Sequence, residues 1–384
     1  MRFKVVVVAC LVCGMLIHSC GGGGEQPQEQ VAATTDMMHL VMEDSVGVEI
    51  GDSNYVFGSI EGLGYTPQGE IAVLDRISAD IRLFSHEGSH IRSIGGRGGG
   101  PGELHNPLAL FIFPDGRLGA LDPWRSGLQL YSSEGDFLGT GMEVSHNVHL
   151  YPEVVSDSSF VSMKTEFIMD DGSAPRIAAF IGLFNMSAEP EVTFWREEMP
   201  IDLNATANLA QKYLMGVSLA VDTLNEVVYI APFSGPDYLI NRYSMEGELL
   251  GSMEMEVETV PLTEEEMRVD EEFISQRLSS LEGGDPDYNV HMTEQIDYRL
   301  PVVDLEIGPA GNLWARRGIE DYPFFDVWSP EGELLGSVVM EDAGPRSRSW
   351  EFEVFEEGVL AYDTDPEMFQ KIYLIGWEQD LDGR

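Results

Sequence analysis

The chain has 384 residues, 43% hydrophobic, 10% aromatic and 23% charged, which excludes a disordered chain, a collagen-like fibre and a polytopic membrane protein. Charge is the outlying property: 22 Lys and Arg stand against 66 Asp and Glu, a net −44. Such a surface repels phosphate backbones, so no nucleic-acid partner is expected, and it suits a salty medium in which ions screen acidic self-repulsion.

Residues 1–19 carry Arg2 and Lys4 ahead of an apolar run from Val5 to Ile17 that is short for a bilayer span. The run ends Ile17-His18-Ser19-Cys20, which resembles the bacterial lipobox. That resemblance implies cleavage before Cys20, lipidation of Cys20 and a lipid anchor in the cell envelope, periplasmic or at the outer-membrane surface. Cys10 and Cys13 would leave with the leader, so the mature chain would hold no disulfide and no cysteine metal site. The four glycines Gly21–Gly24 and the polar run after them, to residue 36, read as a flexible tether. Met38-His39-Leu40-Val41-Met42 has strand character.

From there the sequence repeats. An aromatic residue precedes Ser-x-Glu-Gly at Phe84, Tyr131, Tyr243 and Trp328, with a short β-prone run after each. Upstream of three of these hairpins lies Pro-x-Gly-x-aliphatic, at Pro67, Pro114 and Pro309. Gly69 to Gly116, Asp75 to Asp122 and Gly88 to Gly135 are all 47 residues apart. Two hairpins per unit make a four-stranded antiparallel blade, and a period of this length points to a propeller. Units are expected at 60–95, 108–141, 153–195, 219–253, 302–340 and 351–377. The last has no room for its own outer strand, which the segment at 38–42 is expected to supply. Thr263 to Leu281 reads as a helix opened by a capping box, within an insertion at about 261–284 between the fourth and fifth units. The fold class expected is therefore all-β: a six-bladed propeller over 37–379, with one helical insertion and a tail at 380–384.

The run Gly95-Gly96-Arg97-Gly98-Gly99-Gly100-Pro101-Gly102-Glu103-Leu104, followed by Asn106-Pro107, resembles the junction of NHL repeats. Ala120-Leu121-Asp122 and Leu128-Gln129-Leu130-Tyr131 resemble that family's strands, and the run at 309–317 is similar to bacterial propeller lipoproteins of this kind. The resemblance implies fold far more than function, because propellers host many activities.

No nucleophile elbow, H-E-x-x-H helix, P-loop or EF-hand spacing is present. His146-x-x-His149, with His105 and His291 in junctions between units, offers a possible zinc set, since some NHL-type lyases hold zinc with histidines at the central channel. Calcium is the other metal to consider. The basic residues suggest a second site: Arg97, Arg125, Arg299, Arg316 and Arg346, with Glu103, His105 and Tyr298, fall in loops expected at one face, where guanidinium forks suit an anion. The expected function is a monomeric, non-catalytic binding module without a cofactor, recognising a small molecule, glycan or protein. A metal-dependent lyase or lactonase with a site at the central channel is the alternative.

Overall fold

The computed structural model describes residues 36–144, 149–169, 176–186, 189–200, 217–233, 235–268, 297–356, 358–365 and 368–378. Cys20, His146, His291, most of the 261–284 insertion and the tail at 380–384 lie outside the described residues.

The Ser-x-Glu-Gly hairpins form as the sequence suggests, and local chemistry explains why. In the first, Ser85 N donates to Ser89 O and Gly88 N to Ser85 O, both at 2.8 Å. Gly88 adopts φ +79°, a left-handed conformation in which a side chain would be strained. The same pattern closes the turns at Gly135, Gly247 and Gly332.

The strands from Ile60 to Met255 assemble into four antiparallel four-stranded sheets. The first holds β2 (Ile60–Tyr65), β3 (Ile71–Asp75), β4 (Asp80–Phe84) and β5 (His90–Gly95). The second holds β6 (Ala109–Ile112), β7 (Leu118–Asp122), β8 (Gly127–Tyr131) and β9 (Phe137–Glu143). The third runs through β10 (Leu150–Ser156), β11 (Ser159–Ile168), β12 (Arg176–Phe184) and β13 (Pro190–Pro200). The fourth comprises β14 (Val217–Asp222), β15 (Val227–Pro232), β16 (Tyr238–Ser244) and β17 (Leu249–Met255).

The rest of the fold departs from a row of separate blades. β18 (Val302–Ile307), β19 (Leu313–Arg317), β20 (Phe324–Trp328) and β21 (Leu334–Val339) share one eight-stranded sheet with β22 (Trp350–Val354), β23 (Val359–Asp363) and β24 (Ile372–Trp377). The eighth strand is β1 (Asp36–Val46), which lies between β21 and β24. Leu40 to Val46 pair antiparallel with β24, as an outer strand supplied from the N-terminus should. Asp36 to His39 run on and pair parallel with β21, because β1 is longer than β24 alone can cover. That overlap fuses two units which the repeat period alone would separate.

The arrangement is propeller-like. The first strand of each unit packs on that of the next, β2 on β6, β6 on β10, β10 on β14, β14 on β18 and β18 on β22, and β23 returns to β2. The first strands thus surround a common axis, and apolar cores lie between neighbouring units. One core, for example, joins Ile71, Val73 and Phe84 to Leu360 and Tyr362. The capping box also forms: Thr263 N donates to Glu266 Oε2 at 2.7 Å and Glu266 N to Thr263 Oγ1 at 3.2 Å, opening a helix over residues 264–268.

A buried aspartate ties each of the first two units to its incoming loop. Asp75, 1% exposed, accepts from Gly58 N at 2.9 Å, Ser59 N at 3.2 Å and Ile77 N at 2.9 Å, and from Arg82 Nη2 at 3.2 Å. Asp122 does the same for His105 N at 2.6 Å, Asn106 N at 3.1 Å and Trp124 N at 3.1 Å. Asp75→Ala orphans several buried donors and one guanidinium, so it should cost about 3 kcal/mol, read as a lower urea midpoint with an unchanged slope.

Candidate functional site

β22 reads Trp-Glu-Phe-Glu-Val, and the pleat of a strand sends alternate side chains to opposite faces. Trp350, Phe352 and Val354 enter the core, so Glu351 and Glu353 face the axis. β18 behaves alike after a register shift near its start: Leu305 enters the core, while Asp304 and Glu306 turn the other way. Across the ring β10 contributes Glu153. Although β14 separates β10 from β18, the Asp304 charge reaches Glu153 and the Glu153 charge reaches Glu306 and Glu353, so these groups share the axial space that the first strands surround, here called the bore.

Burial and mutual repulsion both disfavour ionisation here. Enclosure raises the Glu153 pKa to about 8, with the Asp304 charge adding to it. Asp304 rises to about 6, chiefly through burial and despite Arg316. Glu306 and Glu353 are pushed well above the usual carboxylate range by burial and then by the neighbouring carboxylates. Glu153, Asp304, Glu306 and Glu353 are each partly exposed. Glu351, at the start of β22, is the exposed member.

Two polar side chains frame this cluster. Tyr362, 5% exposed, donates its hydroxyl to Glu351 Oε2. Arg316, 8% exposed, donates to Trp350 O and, at 3.0 Å, to Arg348 O, and stands 5.1 Å from the centre of the Phe352 ring. Burial pulls the Arg316 pKa down while Asp304 and Glu351 support its charge. At the same end of the strands an ion-pair network gathers the loops. Glu266 Oε1 accepts from Arg299 Nε at 3.0 Å and from Arg348 Nη1, and Arg299 Nη1 reaches Asp321 Oδ1 at 2.9 Å.

The expected anion-binding residues fall into two separate groups. Arg97, Glu103, His105 and Arg125 all serve the glycine-rich turn. Arg97 donates to Ile77 O at 2.9 Å and His105 O at 3.0 Å, and Arg125 to Gly99 O at 3.1 Å and Gly100 O at 2.6 Å. Glu103 Oε2 accepts from Gly100 N at 2.6 Å, and a Cβ on Gly98 would sit 2.0 Å from that oxygen. The second group flanks β18 and β22: Tyr298 is half-buried beside Pro261, Arg299 joins the ion-pair network, Arg346 is exposed and Arg316 frames the bore.

His149, proposed for zinc, is 1% exposed; its Nδ1 lies 2.7 Å from Ser162 Oγ and its ring packs edge-on against Phe160 and Phe184. Burial drives its pKa down to about 3, with Lys164 adding to the effect. The His105 ring is exposed and far along the chain from it. Among the described residues no three His, Cys, Asp or Glu side chains converge closely enough to hold a metal ion.

Sequence reasoning picked out Arg316 and missed the carboxylates and Tyr362. A signal was available for the frame: aligning the second strands sets Leu74 and Leu121 opposite Arg316 and Tyr362, so two leucine positions carry polar groups. The carboxylates had none, since 66 acidic residues are spread through the chain.

No family model matches the chain, and no curated protein matches it. Solved structures do. Regucalcin of Agrobacterium tumefaciens, a calcium-binding protein, aligns at 9% identity over 89% of this chain and 95% of its own, with a TM-score of 0.45. A DUF4221 member from Bacteroides vulgatus aligns at 10% identity over 88% and 98%, TM-score 0.48. Virginiamycin B lyase of Staphylococcus aureus aligns at 10% identity over 88% and 99%, TM-score 0.44. Enzymes and binding proteins both occur among such neighbours, and none fixes an activity for this chain.

Proposed function

We propose that the chain is a six-bladed propeller, tethered at the cell envelope through Cys20, that binds a positively charged ligand in its axial bore without transforming it. In this reading β22, β23, β24 and residues 40–46 of β1 are the sixth blade, stitched to the fifth by residues 36–39. The observation that carries the ligand class is the convergence of Glu153, Asp304, Glu306 and Glu353 from three strands, with Arg316 the one guanidinium among them and its donors given to backbone carbonyls. A primary amine or guanidinium, on a small molecule, an amino sugar or a basic peptide side chain, would replace the protons these groups otherwise retain. An anion on the arginine-bearing loops has less support, because Arg97 and Arg125 already spend their donors on carbonyls.

The test is calorimetry with putrescine, spermidine and an arginine dipeptide at pH 7 and low salt, in two buffers of different ionisation enthalpy. Binding should release protons, so the measured heats should differ between buffers, and Glu306→Gln should weaken affinity roughly tenfold. No heat with any of the three would remove the proposal.

A second reading, a metal-dependent lyase or lactonase with its site at the central channel, has less support, because among the described residues no three His, Cys, Asp or Glu side chains converge closely enough to hold a metal ion. Calcium binding that excludes the amines, or that occurs where they fail, would select it.

A further inference from the structure

We infer that the cation held in the bore carries an apolar body, which lies along a wall formed by Leu110, Ile112 and Phe355 while the charge meets the carboxylates. The inference rests on the reading above that the bore takes a cation, and it narrows the class to an amine or guanidinium on an aliphatic or aromatic body.

The wall is set by what β2 lacks. Along β6 the side chains alternate: Ala109 and Phe111 enter the core on the side of the third unit, whereas Leu110 and Ile112 turn toward the first unit and stay half-buried. The strand they meet there carries glycine at both facing positions. A Cβ on Gly62 would fall 2.5 Å from Leu110 Cβ, and one on Gly64 would fall 2.8 Å from Ile112 Cδ1. Glycine inside a strand weakens it and marks a close approach by another part of the chain. Here the two glycines admit the two aliphatic side chains, which fill the places that side chains of β2 would take. Because β2 and β6 are both first strands, these apolar groups stand beside the axis.

Phe355 joins the wall to the acidic cluster. It lies two residues beyond Glu353 and packs against the core that holds Leu360, the residue paired with Glu353, so the ring and the carboxyl share one face. Its Cζ would lie 3.8 Å from the same Gly64 Cβ that Ile112 approaches. A cleft of about 320 Å³, lined by Tyr65, Thr66, Ile112 and Phe113 with the prolines of two Pro-x-Gly turns, opens at this end. The bore is thus acidic where β18 and β22 border it and apolar where β6 does. A polyamine, charged along its length, would set a charge against the apolar wall at a desolvation cost, whereas one charge on a hydrocarbon body satisfies both sides.

Calorimetry with the full chain at pH 7 and low salt tests this, using butylamine, hexylamine, octylamine and octanol with putrescine as the reference. Affinity should rise about twofold per added methylene, roughly fifteenfold from butylamine to octylamine, because one side of the hydrocarbon leaves water. Octanol, which lacks the charge, should bind about tenfold more weakly than octylamine. Ile112→Thr should flatten the series toward butylamine, and Glu306→Gln should weaken all three monoamines alike. If Ile112→Thr lacks a cooperative melt, Phe355→Tyr takes its place, its hydroxyl standing in the gap beside Gly64, with the same flattening expected. Amines that bind, putrescine included, with no dependence on chain length overturn the apolar wall and leave the cation reading standing. No heat with any amine overturns both. Octanol binding as tightly as octylamine, or a chain-length gain that survives the substitution, also overturns the wall, since the hydrocarbon then sits apart from the carboxylates or elsewhere on the molecule.

Discussion

Deleting residues 36–46 is expected to unfold the eight-stranded sheet, not to trim its edge. β1 joins the two units there, residues 40–46 pairing with β24 and residues 36–39 with β21. Its loss strips two ladders of hydrogen bonds, opens two strand edges and uncovers the cores that Leu40 and Val46 fill at 3% and 5% exposure. Two large-to-nothing core losses and the abandoned ladders should together cost about 5–10 kcal/mol, comparable with the whole stability of an ordinary domain. Far-ultraviolet circular dichroism and urea unfolding should report a truncated protein that aggregates or unfolds without a cooperative transition. Removing residues 21–35 instead should leave the transition where it was. A cooperative, unshifted transition after deletion of β1 would mean that β21 and β24 do not depend on it.

The second large effect is a loss of stability as the bore carboxyls ionise. Glu153 holds its proton up to about pH 8 when folded, against an ordinary glutamate value when unfolded, so the folded state binds more protons across that window. Stability from this group is fully present below the unfolded value and is lost as pH rises through about 8. Asp304 adds the same sign over a lower window ending at about 6, and Glu306 and Glu353 extend it upward. His149 has the opposite sign: pushed down to about 3, it favours the folded state above the ordinary histidine value and ceases to as pH falls. Above pH 7 that contribution is constant, so the carboxyls act alone. The melting temperature should therefore drop by roughly 5 °C or more between pH 7 and pH 9, and Glu153→Gln should flatten the slope. Spermidine should restore part of the lost stability at pH 9. Calorimetric scans that overlay for Glu153→Gln and the parent chain would show that Glu153 is ordinary.

How far the sequence could be read follows from where each feature gets its cause. The turns at Gly88, Gly135, Gly247 and Gly332 are local, since a positive φ and a Ser five residues before the next strand suffice, and their spacing marks out the units. The capping box at Thr263 and Glu266 is equally local. The parallel pairing of residues 36–39 with β21 was not legible, because nothing in Asp-Met-Met-His states which distant edge it will meet. The bore was hidden for a related reason. Glu351 and Glu353 alternating with Trp350 and Phe352 make an ordinary half-buried strand, whose polar face is normally taken to meet bulk water. Closure of the ring turns that face inward, and closure is a property of the whole chain. The arginines mislead in the opposite sense: Arg97 and Arg125 resemble ligand-binding residues in sequence, yet Arg97 donates to the carbonyls of Ile77 and His105 and Arg125 to those of Gly99 and Gly100.

The position of β1 also orders events in time. Its partners are Gly336 to Val339 and Ile372 to Trp377, about 300 residues later in synthesis. Neither ladder can form until almost the whole polypeptide has been made, and contacts of such sequence separation are slow to nucleate. A nascent chain in this condition has an N-terminal strand with nothing to pair with until its last strands have been made. Refolding from urea should accordingly be slow, and a circular permutant that joins the two ends beside β24 should fold faster to the same structure.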